Sequence, residues 1–135
     1  MATRYLLDSN VLVAALKGEP PSLLSRLAGL STDRLCLSSI VLGELLTGAE
    51  KSREAARNKA DVARLIHGME ILTFGTDDAA AYARIRAALQ KKGTPIGPLD
   101  NLIAAQAVTR GLVVVTANLG EFSRVPDLSS ENWLK

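Results

Sequence analysis

Short, almost continuously apolar runs recur along the chain, separated by longer stretches of mixed character. The runs cover residues 5–7, 35–37, 71–74 and 113–115. A strand that is apolar on both sides is typical of a parallel sheet whose two faces are covered by helices. The pattern therefore predicts an α/β fold with a central parallel sheet of about four to five strands and helices on both faces.

The stretches between these runs carry apolar residues at the three-and-four spacing of amphipathic helices. The predicted helices cover residues 11–16, 22–30, 40–46, 49–69, 77–92 and 100–110. Caps are expected from Ser9 or Asn10, from Ser38 or Ser39, and from Thr76, while Gly93 and Gly111 end two of the helices. The acids in the first turn of the 77–92 helix, Asp77 and Asp78, are explained by the helix dipole.

The chain shows no internal repeat and no interdomain linker, so we expect one domain that spans residues 1–135. Residues 122–135 read mostly as loop, with Trp133 and Leu134 as a last packing point. No apolar stretch reaches the roughly 18 residues that a membrane helix needs. Cys36 is the only cysteine, which excludes an internal disulfide. We expect a soluble, cytoplasmic protein.

The formal net charge is +2, but the positive charges are clustered. One cluster lies between residues 51 and 64 and the other between residues 84 and 92. Aromatic residues make up only 4% of the chain and are not interleaved with these charges, so nucleic acid would be bound mostly through its phosphates. A solvated helix face explains either cluster equally simply. The candidate phosphate contacts are Lys51, Arg53, Arg84, Arg86, Lys91 and Lys92.

Carboxylates or amides follow or interrupt several of the apolar segments. They are Asp8, Glu44, Asp100, Asn118 and Glu121. An acid among apolar residues is costly to bury unless it is paired, hydrogen-bonded or bound to a metal. Each has a simpler explanation on its own, since aspartate caps helices and asparagine favours turns. Together they predict a shared pocket at the carboxyl ends of the strands, where parallel sheets bind their ligands.

The donors in such a pocket are all oxygens, which suit Mg²⁺ or Mn²⁺ better than zinc. His67, the only histidine, lies on a polar helix and has no expected catalytic role. A divalent cation would relieve the repulsion between carboxylates and lower the pKa of a bound water. The chemistry indicated is metal-assisted hydrolysis of a phosphodiester bond, with water as the nucleophile.

The segments around these residues resemble the motifs of the PIN-domain family, in order and over the whole chain. Residues 6–12 (LLDSNVL) resemble the first motif, 38–49 (SSIVLGELLTGA) the second and 95–105 (PIGPLDNLIAA) the third. Residues 116–125 (TANLGEFSRV) with 131–133 (ENW) resemble the end of the VapC branch. The resemblance matches Asp8, Glu44 and Asp100 to the three core acids of the family.

The resemblance implies a VapC-type toxin of a type II toxin–antitoxin pair, which is a homodimeric endoribonuclease dependent on Mg²⁺ or Mn²⁺ and inhibited by a cognate antitoxin. It leaves the fourth metal ligand open between Asn118 and Glu121. Ser9 stands where the family usually has threonine, and Asn10 and Thr116 match supporting polar positions. A structured RNA such as tRNA is the expected substrate. The resemblance also implies that the antitoxin brings a basic residue toward the acids, along helices that include residues 11–16 and 40–48.

Two alternatives remain at the level of sequence. A PIN-like module could bind RNA or a protein partner without cleaving, although degenerate members of that kind lose core acids and this chain keeps three. A phosphatase with Asp8 as nucleophile would usually need a second acid two residues later, where this chain has Asn10.

Overall fold

The computed structural model describes residues 2–135 and contains a sheet of five parallel strands. In spatial order the sheet runs β3-β2-β1-β4-β5. The strands are β1 (Tyr5–Leu7), β2 (Leu35–Ser38), β3 (Glu70–Leu72), β4 (Val113–Val115) and β5 (Ser129–Glu131). Successive strands move outward from β1 in one direction and from β4 in the other. The topological switch point of the sheet therefore lies between β1 and β4.

Helices connect the strands and form two groups. They are α1 (Ser9–Leu16), α2 (Pro21–Ala28), α3 (Ser39–Glu50), α4 (Ala55–Ile66), α5 (Thr76–Lys91), α6 (Pro98–Arg110) and α7 (Leu119–Phe122). Helices α1, α3 and α4 contact one another, while α5 packs along α6. Because parallel crossovers are right-handed, the reversal of strand order places the two groups on opposite faces of the sheet. The predicted fold class is confirmed.

The strands at the switch point supply the centre of the core. Leu6, Leu7, Val114 and Val115 are fully buried. Burying each such side chain contributes about 1.5–3 kcal/mol. Strands β1 and β4 both end at the carboxyl edge of the sheet, where Asp8 and Asn118 follow them.

The single long helix predicted for residues 49–69 is wrong. Helix α3 ends at Glu50, and α4 begins only at Ala55 and ends at Ile66. Side chains stabilise the intervening turn, because the Ser52 hydroxyl donates to the Ala49 carbonyl at 2.6 Å and accepts from the Asn58 amide at 2.8 Å. Serine and asparagine compete with the helix ladder in this way, and a composition rich in alanine and arginine conceals it.

Several predicted boundaries also shift. The third strand is Glu70–Leu72 rather than residues 71–74, and Thr76 is the first residue of α5 rather than its cap. Asp78 instead accepts a hydrogen bond from the Gly75 N–H at 2.8 Å. Helix α6 begins at Pro98, so Asp100 lies within its first turn instead of opening it. Proline is well suited to a first helical position, where its missing N–H is no loss.

The C-terminal segment is more ordered than predicted. Residues 129–131 form β5 beside β4, and the Glu131 carbonyl accepts from the Thr116 N–H at 2.9 Å. A strand with the sequence Ser-Ser-Glu carries no apolar signal and could not be recognised by hydrophobicity. Trp133 is buried and packs edge-on against Tyr5, with 4.9 Å between ring centroids, which confirms it as a packing point.

Within residues 2–135 no helix has both the length and the hydrophobicity to cross a membrane.

Candidate active site

Asp8 lies directly after β1 and caps the N-terminus of α1. Its side chain is almost fully buried and hydrogen-bonded through both oxygens. Oδ1 accepts from the Ser9 N–H at 2.9 Å, while Oδ2 accepts from the Thr116 hydroxyl at 2.9 Å and from the Asn10 amide at 3.4 Å. The cap at α1 is thus Asp8, for which capping was one of the two explanations considered, rather than Ser9 or Asn10. The polar residues predicted to support Asp8 do contact it.

Thr116 and Asn10 also join the end of β4 to the start of α1. The Thr116 hydroxyl accepts from the Asn118 N–H at 2.9 Å while it donates to Asp8. The side-chain oxygen of Asn10, Oδ1, accepts from the Ala117 N–H at 3.1 Å. These bonds fix the loop that carries Asn118 relative to Asp8 across the switch point.

Asn118 bridges two carboxylates. Its amide nitrogen donates to Asp100 Oδ2 at 3.0 Å and to Glu121 Oε2 at 3.1 Å. The Gly97 N–H donates to the same Glu121 oxygen at 3.4 Å. In this arrangement Asn118 presents its N–H group rather than its carbonyl to the acids, so it links Asp100 with Glu121.

Glu44 approaches the same region from the second turn of α3. Its side chain is exposed and lies near Ser9 and Asp8. Partial burial and the nearby charge of Asp8 raise the pKa of Glu44, and the Ser9 hydroxyl opposes the rise. The structure therefore brings together Asp8, Glu44, Asp100, Asn118 and Glu121, which we term the acidic site.

The neighbouring carboxyl groups of Asp100 and Glu121 shift each other's pKa in opposite directions. Burial, the hydrogen bond to Glu121 and the charge of Asp8 raise the pKa of Asp100 to about 7. The pKa of Glu121 is lowered, chiefly by its hydrogen bond with Asp100, helped by the Gly97 N–H and the Asn118 amide. Below about pH 7 the pair therefore holds one proton, which Asp100 carries.

The acids of the site have no cationic partner within residues 2–135, since every salt bridge there joins other residues. Carboxylates crowded in this way favour a bound cation. The oxygen donors fit a hard divalent ion. Within residues 2–135 no three acidic, histidine or cysteine side chains are grouped closely enough to hold a metal ion as they stand.

A groove of about 520 Å³ runs from the acidic site between α1, α3 and α4. Ser9 and Glu44 line the groove near the acids, and Asp61 of α4 lines it as well. Val13 and Leu16, which are 40% and 38% exposed, form an apolar wall. Lys17 lines the groove too. The groove therefore combines apolar and charged surfaces along α1 and α3, as expected, and additionally along α4, which was not predicted.

The predicted phosphate contacts divide into separate regions, and all six are exposed. Lys51 and Arg53 lie at the turn after α3, and Lys51 is roughly 10 Å along the helix axis from Glu44. Arg86, Lys91 and Lys92 lie toward the end of α5, which packs beside the start of α6. Arg84 instead lines a cavity with Val108 and Asp127 on another side of α5.

Two contacts at the acidic site were missed by sequence reasoning. The Gly97 backbone runs so close to the acids that a Cβ there would lie 3.7 Å from Glu121 Oε2 and 3.8 Å from Asp100 Oδ2. Arg124 donates to the Pro95 carbonyl at 2.9 Å and so ties residues 95–97 to the end of α7. The Pro-Ile-Gly-Pro sequence of residues 95–98 was the available signal for a constrained loop here.

Comparison with known proteins agrees with this geometry. The PIN domain family matches residues 5–128. The tRNA(fMet)-specific endonuclease VapC of Salmonella typhimurium is 45% identical, over 96% of this chain and 98% of that protein. Ribonuclease VapC2 of Haemophilus influenzae is 40% identical, over 97% of this chain and 98% of that protein. The chain belongs to the PIN-domain family and, within it, to the VapC ribonucleases.

The fold of this PIN-domain chain is shared with a solved toxin–antitoxin complex. In the crystal structure of DNA-bound VapBC from Salmonella typhimurium, one chain superposes with a TM-score of 0.90 at 45% identity, covering 98% of this chain and 99% of that one. The resemblance to the PIN-domain family and its VapC branch is therefore confirmed.

Proposed function

We propose that this chain is an endoribonuclease that hydrolyses RNA phosphodiester bonds at the acidic site and acts as the toxin of a type II toxin–antitoxin pair. The observation that carries the proposal is the convergence of Asp8, Glu44, Asp100 and Glu121 without a cationic partner at the switch point of a PIN fold. Membership of the VapC ribonucleases supports RNA as the substrate. Residues 1–135 are proposed to form one PIN domain.

The proposed cofactor is Mg²⁺ or Mn²⁺, held by Asp8, Glu44 and Asp100, with Glu121 as a further donor. Asn118 is proposed to orient Asp100 and Glu121, since its N–H group faces both of them. A bound divalent ion would lower the pKa of a water molecule and offset negative charge on the phosphate.

The chain itself supplies preorganisation. Thr116 and Asn10 hold Oδ2 of Asp8 at a fixed position, and the Ser9 N–H holds Oδ1. Asn118 and the Gly97 N–H hold Glu121 beside Asp100. Such bonds keep negative oxygens in place before RNA arrives, so little reorganisation is needed during the reaction.

The proposed RNA path crosses the cations at the end of α5, Arg86, Lys91 and Lys92, which lie beside the start of α6. Lys51 and Arg53 would contact phosphates farther along the other flank. Arg84 is a weaker candidate because it faces a separate cavity. A tRNA is the proposed substrate, on the strength of the tRNA(fMet)-specific relative in Salmonella typhimurium.

The active assembly is proposed to be a homodimer.

The groove between α1, α3 and α4 is the proposed antitoxin site. The apolar wall of the groove at Val13 and Leu16 suits apolar anchors, while Glu44, which is in no salt bridge in the described part of the chain, favours an arginine or lysine of the partner. The VapBC complex from Salmonella typhimurium supports a partner of this kind. Val13→Asp should release the antitoxin without loss of RNA cleavage, as measured by co-purification and by an RNase assay.

The deciding experiment is cleavage of total cellular RNA by the purified chain in Mg²⁺ or Mn²⁺ and in EDTA. Asp100→Asn removes a site acid, and Asp77→Asn makes the same change at an exposed position of α5 outside the site. We expect discrete fragments that require the metal, persist with Asp77→Asn and disappear with Asp100→Asn. Sequencing the fragment ends identifies the RNA.

A binding module that does not cleave is the alternative function. Folded protein that binds RNA or the antitoxin but leaves a broad RNA pool intact in either metal would establish that alternative. Cleavage that survives Asp100→Asn would instead remove the acidic site from the reaction.

A further inference from the structure

A second pocket lies between the end of α5 and the start of α6, next to the acidic site. Its volume is about 160 Å³. Arg86 and Gln90 are exposed at its rim, while Leu89, Ile96 and Asn101 line it as buried residues. No carboxylate lines the pocket, so it is not an extension of the acidic site.

The pocket and the acidic site share a short piece of backbone. Gly97 donates to Glu121 of the acidic site, and the next residue, Pro98, lines the pocket. Asp100 and Asn101 are likewise consecutive on α6 and project in directions about 100° apart around the helix. An RNA strand that leaves the acidic site across residues 95–98 would reach the pocket with an adjacent nucleotide.

Asn101 carries a polar group that the fold does not use. The residue is only 4% exposed, and its Oδ1 atom is buried without a hydrogen-bond partner. An unpaired buried carbonyl is unfavourable, and an apolar residue would fill the position without that cost. Because the amide plane can rotate, either its oxygen or its nitrogen can meet a ligand.

The chemistry of the lining favours a nucleobase over a bare anion. Asparagine and glutamine amides pair with base edges because each offers a donor and an acceptor side by side. Leu89 and Ile96 provide apolar surface for a ring, whereas phosphate would leave the Asn101 carbonyl unpaired. The volume lies below the roughly 300 Å³ at which pockets for larger ligands begin, so it suits one base rather than a whole nucleotide.

We propose that this pocket binds one unstacked base of the RNA substrate and that Asn101 and Gln90 read its edge. The inference rests on the proposed function, in that RNA is the substrate. Sequence-specific RNA recognition generally takes bases from single-stranded segments in this manner. The pocket would then contribute to the choice of cleavage site, which the phosphate-binding cations cannot determine.

The test measures binding of short fluorescent single-stranded RNAs to the full chain in EDTA, so that no metal supports cleavage. The RNAs are oligo-A, oligo-C, oligo-U, an alternating U–G sequence and an abasic ribose-phosphate strand of equal length. We expect the preferred RNA to bind at least about tenfold more tightly than the abasic strand, which corresponds to about 1.4 kcal/mol.

Asn101→Leu and Gln90→Ala should each reduce this preference to within about twofold and leave abasic binding unchanged. Asp77→Asn, on the same helix but lining a different cavity, should keep the preference. Gln90 is exposed, so its variant tests the pocket even if Asn101→Leu disturbs folding. A urea unfolding curve for each variant controls for stability.

The proposal is overturned if the wild-type protein binds the abasic strand as tightly as the others, which is the result for a pocket filled only by water. It is also overturned if both pocket variants keep the full preference. The nuclease proposal can fail separately from this one. Base-dependent binding without any cleavage of cellular RNA would overturn the nuclease proposal and support the base pocket. Metal-dependent cleavage without base preference would overturn the base pocket and leave the nuclease proposal intact.

Discussion

Asp8 acts both as a helix cap and as a member of the acidic site, so the two explanations of its place in the sequence are compatible. One oxygen satisfies the first N–H of α1, and the other meets Thr116 and Asn10. Asp100 has a different environment, because its main neighbours are other carboxylates and the Asn118 amide. Asp8 and Asp100 therefore share a proposed role in metal binding but should have opposite effects on the stability of the fold.

Asp8→Ala and Asp100→Asn should change stability in opposite directions. In EDTA at about pH 8, Asp8→Ala should lower the free energy of unfolding by about 1–3 kcal/mol, because it leaves buried hydrogen-bonding groups unpaired. Asp100→Asn should raise it, because a repulsive charge disappears while the Asn118 contact can remain. Urea unfolding measures both, and a shift in the same direction for the two variants would contradict this account.

Thr116 is predicted to be a positioning residue, since it is fully buried and its hydroxyl joins Asp8 to the Asn118 N–H. Thr116→Val keeps the shape of the side chain and loses both bonds, which should cost about 1–3 kcal/mol of stability. RNA cleavage should fall by at least about tenfold, because Asp8 is no longer held in place. Thr116→Ser retains the hydroxyl and should restore both properties. If it fails to restore cleavage, the hydroxyl is not the cause.

At the scale of elements, an ion pair between buried Asp78 and the partly exposed Arg110 side chain joins the start of α5 to the end of α6. Asp78, in the first turn of α5, meets Arg110, in the last turn of α6, at 2.6 Å. Arg110 also donates to the Gln106 and Thr73 carbonyls, and Thr109 donates to Asp78. The helix dipole alone was the predicted reason for Asp78. The structure adds a tertiary partner 32 residues away that no local pattern indicates.

Asp78→Ala should lower the free energy of unfolding by about 2–4 kcal/mol, somewhat less than for a fully buried pair because Arg110 reaches water. Burial raises the pKa of Asp78, but hydrogen bonds from Arg110, the Gly75 N–H and Thr109 outweigh it and lower the pKa overall. The contribution is therefore present above the ordinary aspartate pKa and is lost as pH falls through the lowered value. Urea unfolding across the acid range measures this loss.

Cleavage of RNA by the folded Asp78→Ala protein should equal that of the wild type, because Asp78 lies outside the acidic site. Arg110→Lys is a matched control that keeps the charge and loses the forked contacts, so it should be intermediate in stability. A variant at either position that abolished cleavage at full stability would show that the helix pair communicates with the site.

At the scale of the whole molecule, the acidic site gathers side chains from four separate parts of the chain. Elements β1, α3, α6 and the segment after β4 each deliver one or two donors to the switch point. A cation bound there would tie these elements together and stabilise only the folded chain. Its effect on folding must then depend on the proton that Asp100 carries.

We expect Mg²⁺ to raise the unfolding midpoint, and its affinity to increase as pH rises toward about 7, the raised pKa of Asp100. The sign follows because the metal needs the ionised carboxylate. In EDTA the same shift works in reverse: the folded state holds this proton more tightly than the unfolded state, so stability should fall as pH rises from about 4 to 7. Thermal unfolding with and without Mg²⁺ over this range measures both trends.

Asp100→Asn should flatten both trends, and Asp77→Asn should leave them unchanged. If Mg²⁺ leaves the unfolding midpoint of the wild-type protein unchanged at every pH, the acidic site does not bind this metal. The result does not depend on having found the RNA substrate.

The sequence by itself determined the fold class and the acids, because both follow from local pattern. Strands that are apolar on both faces require a covered parallel sheet, and several acids at the ends of such strands together predict a shared pocket. The motifs around Asp8, Glu44 and Asp100 then sufficed to identify the family. The strand at residues 129–131 and the turn at 51–54 between α3 and α4 were not predicted. Pairing with β4 creates the strand and side-chain hydrogen bonds create the turn, so neither has a signal in hydrophobicity.

Only the tertiary structure decided how these residues meet. The switch point is a property of strand order, which brings Thr116 to Asp8 across 108 residues. The packing of α5 against α6 brings Arg110 to Asp78 across 32 residues. The direction of the Asn118 amide, the proton on Asp100 and the unpaired side-chain oxygen of Asn101 depend on neighbours distant in sequence. The local sequence pattern determines which side chains lie at the carboxyl edge of the sheet, and tertiary packing determines which neighbours each of them contacts.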